Sequence, residues 1–140
     1  MDKLEEPAGP EFPQQHVAIV EPGAGSTIEF FVPGRPVPKG RPRVTKSGFA
    51  YTPKRTREWE SVVAWHAKLA RGFRPIIEGP VAVRLAFCGA RVTADIDNLA
   101  KAVLDAMNRV VYLDDRQVRD VRATREVGSR HGVAVSVHPQ

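Results

Sequence analysis

Between Asp95 and Asp115 the sequence DIDNLAKAVLDAMNRVVYLDD carries five aspartates in 21 residues, two of them adjacent at its end. Clustered carboxylates raise one another's pKa unless a cation lies between them, and hard divalent cations bind such oxygen clusters. Magnesium takes one or two carboxylates, keeps some waters and draws the rest of its shell from substrate phosphates. A metal held in this way activates water and stabilises a leaving oxygen. Combined with a basic surface that holds a polyanionic backbone, the pattern points to metal-dependent phosphodiester hydrolysis. The plainer reading of the same residues is an N-cap pair, a solvated helix face and an Asp-Asp turn. An EF-hand calcium loop does not fit, because its glycine and terminal glutamate are missing.

Positioning these groups requires a helix and a return of the chain. Asp95 and Asp97 are two apart and would point the same way in an extended segment. Either Asp97 or Asn98 can cap a helix over DNLAKAVLDAMNR. Leu99, Val103, Ala106 and Val110 then form an apolar stripe, with Asp97, Lys101, Asp105 and Asn108 on the opposite side. Leu104 falls in the polar arc, which implies either contact with a partner subunit or a different helix phase. After the helix, VVYLDD forms a short strand or turn that brings Asp114 and Asp115 back toward the helix start. Three or four carboxylates would then converge at one point.

A second constellation lies upstream. Between positions 35 and 57 stand Arg35, Lys39, Arg41, Arg43, Lys46, Lys54, Arg55 and Arg57, with no acidic residue and with Phe49 and Tyr51 interleaved. The prolines and glycines of RPVPKGRPRVTKSGFAYTP make it a loop. Such a loop suits backbone phosphate binding, with an aromatic to stack or wedge at a distorted base step. Its plainer reading is a solvated basic loop. Arg116, Arg119, Arg122, Arg125 and Arg130 add charge nearby, although Arg119 and Arg122 fall on opposite faces of an ideal strand. His16, His66, His131 and His138 are scattered and take no catalytic role.

The remaining segments supply the scaffold. STIEFFVPG reads as a strand. TPKRTREWESVVAWHAKLARG reads as a helix with Thr52 as N-cap, Pro53 in the first position and Gly72 at the end. Its core face would hold Trp59, Val62, Val63, His66 and Leu69 or Ala70. GPVAVRLAFCGA is a strand apolar on both faces except at Arg84, and Cys88 within it is a buried free thiol. QVRDVRATREV and GVAVSVHP read as two strands of a hairpin joined by GSRH. The order implies an α/β (α+β) domain, one mixed sheet with two main helices packed on it.

Length and charge agree with a single domain. The 140 residues are 42% hydrophobic and 26% charged. Residues 1–25 are rich in Pro, Gly, Gln and Glu and carry one lysine against five acids; they read as a flexible tail ahead of a domain over 26–140. The rest carries 20 basic against 11 acidic side chains, which suits a polyanionic partner. There is neither an apolar run of membrane-spanning length nor a signal-peptide pattern, and one cysteine allows no intrachain disulfide. These features lead to the expectation of a cytoplasmic protein without membrane attachment or organic cofactor.

The segment DIDNLAKAVLDAMNRVVYLDDRQV resembles the signature of the RusA-like endodeoxyribonucleases, Holliday junction resolvases of bacteria and their phages. Asp95, Asp97, Asn98, Lys101, Asp105, Asn108, Asp114, Asp115 and Gln117 match that pattern. The upstream FFVPGRPVPKGRPRVTKSGFAYTP is similar to the first part of phage-type members, so the resemblance covers roughly residues 28–140. It departs at Arg109, where many members have glycine. The resemblance implies that Asp95, Asp97 and Asp115 are the essential metal-binding acids, supported by Asp114, and that Lys101 is a catalytic lysine. Lys101 lies one helical turn from Asp97, where it can orient water or neutralise charge on the pentacovalent phosphate. A plain i,i+4 salt bridge is its other reading. The implied cofactor is magnesium, with manganese as a substitute. The implied partner is branched DNA, above all the four-way junction, cut by a homodimer whose interface could use Leu104, Phe30 and Phe31. Flap or fork cleavage by the same chemistry, or non-catalytic DNA binding, are the alternatives.

Overall fold

In the computed structural model, which describes residues 27–41 and 43–140, two helices pack on a four-stranded mixed sheet. The tail expected over residues 1–25 lies outside the described residues. Strand β1 (Ile28–Pro33) leads into a loop that carries a two-residue-deep hairpin, β2 (Arg43–Val44) with β3 (Ala50–Tyr51). Helix α1 (Lys54–Arg71), strand β4 (Val81–Cys88), helix α2 (Ile96–Met107), strand β5 (Val118–Glu126) and strand β6 (Gly132–Pro139) follow. The segment read as a plain loop therefore contains a small antiparallel ladder. No helix among the described residues is long and apolar enough to cross a membrane.

The sheet order is β1-β6-β4-β5, which corrects the expected hairpin. β6 runs antiparallel between β1 and β4, whereas β5 pairs parallel with β4 on the far side. The reason lies in the side chains. GVAVSVHP is buried from Gly132 to Val137, so it needs a neighbour on each edge. VRDVRATRE is charged and mostly exposed, which suits a sheet edge. Gly132 is required where it stands: its φ is 155°, and a Cβ there would collide with the Val32 carbonyl and the Phe31 ring.

β4, α2 and β5 form a parallel crossover that lays α2 across the sheet. Leu99, Ala102, Val103, Ala106 and Met107 of α2 meet Val83, Leu85 and Phe87 of β4 and Val133, Val135 and Val137 of β6 in one core. The expected stripe holds, with Leu99, Val103 and Ala106 buried and Val110 packed partly buried against the core, and Leu104 also packs partly buried there, so the apolar face is wider than expected. α1 adds Trp59, Val63 and Ala67, and of the expected alternatives Leu69 or Ala70 it is Ala70 that packs on the core; Val62, Trp65 and Leu69 are exposed, contrary to the core face expected for Val62. Cys88 is buried as expected, and its thiol faces the Gly128 carbonyl.

Candidate active site

The start of α2 supplies the first carboxylates. Asp95, not Asp97 or Asn98, occupies the N-cap position, with extended backbone and no side-chain cap bond. Its carbonyl accepts the Leu99 N–H at 3.0 Å, and its carboxylate is left exposed. Asp97 sits in the first turn, where the positive end of the helix dipole favours an anion. Its Oδ1 takes the Asn98 N–H at 2.9 Å.

The second approach comes from the turn after α2. Arg109 is the only non-glycine with positive φ, at 67°, among the described residues, a backbone conformation that glycine adopts more readily. The chain then buries Tyr112 fully, and its hydroxyl donates to the Leu104 carbonyl at 2.7 Å. Burial first, then the charges of Asp115 and Asp105, hold the phenol well above its usual pKa, so it remains a protonated donor. A short 3-10 turn, Asp115–Gln117, follows, closed by a capping box between Asp114 and Gln117. Gln117 also donates to the carbonyls of Ile77 and Gly79 at 2.9 and 2.8 Å, which ties the turn to the loop before β4.

This turn separates the two adjacent aspartates. Asp114 is the cap: it takes the Arg116 N–H at 2.9 Å and lies 3.2 Å from the Arg116 guanidinium. The backbone N–H first and the guanidinium next hold its carboxyl below the usual range. Asp115 faces a cleft of about 330 Å³ between α2 and β5, together with Asp97, Lys101 and Asp105. Leu104, Val121 and Ala123 form its apolar floor. Three expected site residues, Asp97, Lys101 and Asp115, thus meet in one cleft. Asp95 stands at its margin, outside the lining residues, and Asp114 points its charge at Arg116.

Two residues absent from the expected catalytic set take part. Asp105 Oδ2 lies 3.6 Å from Lys101 Nζ and 3.1 Å from Lys39 Nζ, and Lys39 Nζ lies 2.8 Å from Glu60 Oε2. Lys39 was expected to bind DNA as part of the loop, but here it bridges two helices. Burial pulls its ammonium pKa down, yet the hydrogen bonds it donates to Glu60 and Asp105, with the charges of those carboxylates, outweigh this and hold it above its usual value. Nothing in the sequence pattern distinguishes Lys39 from its basic neighbours.

Among the described residues no three His, Cys, Asp or Glu side chains form a group able to hold a metal. The expected convergence of three or four carboxylates at one point is corrected accordingly: Asp114 serves as a cap and Asp105 is shared by two lysines. The donor set that remains, the oxygens of Asp97 and Asp115 on one cleft, still fits magnesium, which needs only one or two carboxylates beside water and phosphate.

A basic groove lies on the loop side of α1. Arg43, Tyr51, Lys54 and Arg55 line a depression of about 510 Å³. Thr56 fixes it by accepting the Gly40 N–H and donating to the Pro38 carbonyl, both at 3.3 Å. Thr52 does not cap α1; its carbonyl accepts from Arg57, and Pro53 holds the cap position. α1 has no acid in its first turn, so Lys54 and Arg55 add to the positive end of the helix dipole. Arg35, Arg41 and Lys46 are exposed, as is Phe49 at the hairpin. Three of the downstream arginines are engaged locally: Arg122 with Asp120 at 3.9 Å, Arg125 with the Arg91 carbonyl, and Arg130 over the Phe31 ring at 4.1 Å.

Comparison with known proteins bears on this arrangement. The family model "Endodeoxyribonuclease RusA" matches residues 33–138, most of the chain and both the loop and the cleft. The chain belongs to the RusA endodeoxyribonuclease family. The uncharacterized protein YqaN of Bacillus subtilis (strain 168) is 27% identical over 135 residues, covering 79% of this chain and 94% of that protein. The acidic cleft and the basic groove both lie within the matched residues.

Proposed function

We propose that this RusA-family chain is a magnesium-dependent, structure-selective endonuclease that resolves four-way DNA junctions by paired nicks during recombination and repair in the cytoplasm. The observation that supports it best is the meeting of Asp97, Asp115 and Lys101 in one cleft, on a chain whose loop carries a basic groove. Asp97 and Asp115, with Asp95 at the margin, would hold the metal. The ion, when bound, supplies an activated water and charge stabilisation at the leaving oxygen, with manganese as a substitute. Lys101, 58% exposed, is free to reach the scissile phosphate and offset its developing charge. Arg43, Lys54 and Arg55 would grip flanking phosphates, and Tyr51 or Phe49 offers a ring to an unstacked base.

Nicking of a synthetic four-way junction with magnesium, set against linear duplex, flap and fork substrates, tests the reading. Preference for flaps or forks would keep the chemistry and change the substrate. Binding without cleavage in either metal would make the chain an accessory DNA-binding protein.

The loop's contribution has its own test. Neutralising Arg41, Arg43 and Lys46 together is expected to weaken junction binding and flatten its salt dependence. Each lost phosphate contact lowers the log–log slope by roughly 0.9. An unchanged slope would make the loop a bystander.

The same reading calls for a homodimer, because resolution needs two cuts in strands of like polarity and a two-fold dimer matches the symmetry of the junction. Of the residues expected at its interface, Leu104 and Phe30 pack against the core and Phe31 lies under Arg130. The exposed stripe Val62, Trp65 and Leu69 on α1 is the better apolar surface for a second copy. Sedimentation is expected at about twice the 15.4 kDa chain mass. On an extruded cruciform, linear product should form without accumulated nicked circles. A monomer at working concentration, or nicked circles as the main product, would contradict paired resolution.

A further inference from the structure

The four charged groups Glu60, Lys39, Asp105 and Lys101 form a chain from α1 to the cleft, at 2.8, 3.1 and 3.6 Å in that order. Two ammonium groups compete for one oxygen, Asp105 Oδ2. Lys39 is the nearer, and only 21% of its side chain is exposed, against 58% for Lys101. Its backbone is fixed as well, since the Lys39 N–H donates to the Asn98 carbonyl at 2.8 Å. A lysine held by two carboxylates and by its own backbone is poorly placed to serve as a phosphate contact.

We propose that Lys39 is a positioning residue for the cleavage step, holding Asp105 neutralised so that Lys101 remains free to act on the scissile phosphate. This rests on the reading of Lys101 given above. With Lys39 in place, Asp105 has a full partner and its contact to Lys101 stays long. Without it, the Asp105 carboxylate has Lys101 as its remaining lysine partner. The attraction between unit charges grows as their separation falls, and it is stronger beside a protein surface than in bulk water. Lys101 would close onto Asp105, away from the phosphate. The cleft would also gain uncompensated negative charge where a phosphodiester must enter.

The test uses the full chain, a synthetic four-way junction and magnesium. Lys39→Met is expected to lower the single-turnover rate by about 10- to 100-fold, the scale on which a small misplacement of a reacting group acts. Junction affinity, measured without magnesium, should stay within about threefold, with an unchanged salt slope. Lys39→Arg, which keeps a charge between the two carboxylates, should recover most of the rate. In an Asp105→Asn background, Lys39→Met should cost less than about twofold more, since its route of action is already removed. If Lys39→Met melts below the assay temperature, Lys39→Gln, still able to donate to both carboxylates, takes its place with the same criteria. A salt slope reduced by roughly 0.9 with an unchanged rate would make Lys39 a phosphate contact and overturn the proposal. Losses that multiply in the double variant would overturn it too. A wild-type chain that cuts no DNA would instead defeat the underlying reading.

Discussion

Asp97→Asn is expected to reduce junction cleavage by at least about 10²-fold, the scale of a lost electrostatic stabiliser at a reacting centre, while leaving junction binding intact or tighter. Among the described residues Asp97 forms no salt bridge, so no cation there neutralises its charge. It is also exposed, and its Oδ1 accepts the adjacent Asn98 N–H. Substitution by asparagine keeps size and the hydrogen-bond acceptor and removes only the charge. A hard cation loses a ligand by that change, whereas a polyanion loses a repulsion. Rates come from single-turnover nicking and affinities from titration without magnesium. Nicking above about a tenth of the wild-type rate would remove Asp97 from the metal-binding set.

Lys101→Met carries the second large effect. Turnover is expected to fall on the order of 10²–10³, with little change in affinity. The fold should barely notice. Among the described residues the ion pair lost is the 3.6 Å contact to Asp105, an i,i+4 pair on a half-exposed side chain. Such pairs contribute about 0.3–0.5 kcal/mol, so the melting temperature should move by no more than about 3 °C. Loss of affinity with an unchanged single-turnover rate would make Lys101 a phosphate contact instead.

Several features were legible in the sequence because one local rule governed them. Pro53 and Gly72 bracket α1, and Gly72 indeed has positive φ at its C-terminus. The two-faced apolar character of VAVRLAFC marked β4 as a central strand. Spacing placed Asp97 and Lys101 one turn apart on a helix the pattern fixes well, but it was the family resemblance that assigned them to a catalytic site. Other features depended on competition between rules. The short GSRH connection favoured a hairpin, but β6 buries both faces and takes β1 and β4 as neighbours, leaving β5 at the edge. Asp114 and Asp115 look alike in sequence. Only the capping box with Gln117 assigns one to the fold and leaves the other facing the cleft. Lys39 looks like any loop lysine, because its partners Glu60 and Asp105 belong to two later helices.

The position of β6 has a consequence for how the protein is made. Residues 132–139 are synthesised after the other strands of the described residues, yet they are bonded along both edges, to β1 and to β4. Until they emerge, β1 has no partner in the main sheet, and the core lacks Val133, Val135 and Val137. Pairing β1 with β6 also closes nearly the whole described chain into one loop, a contact pattern associated with slow folding. The nascent chain therefore cannot complete this sheet, or the layer that supports α2 and its cleft, before synthesis has passed β6. Nuclease activity is expected to appear only after that strand has been made, so a ribosome-bound fragment ending before residue 132 would be inert toward DNA cleavage.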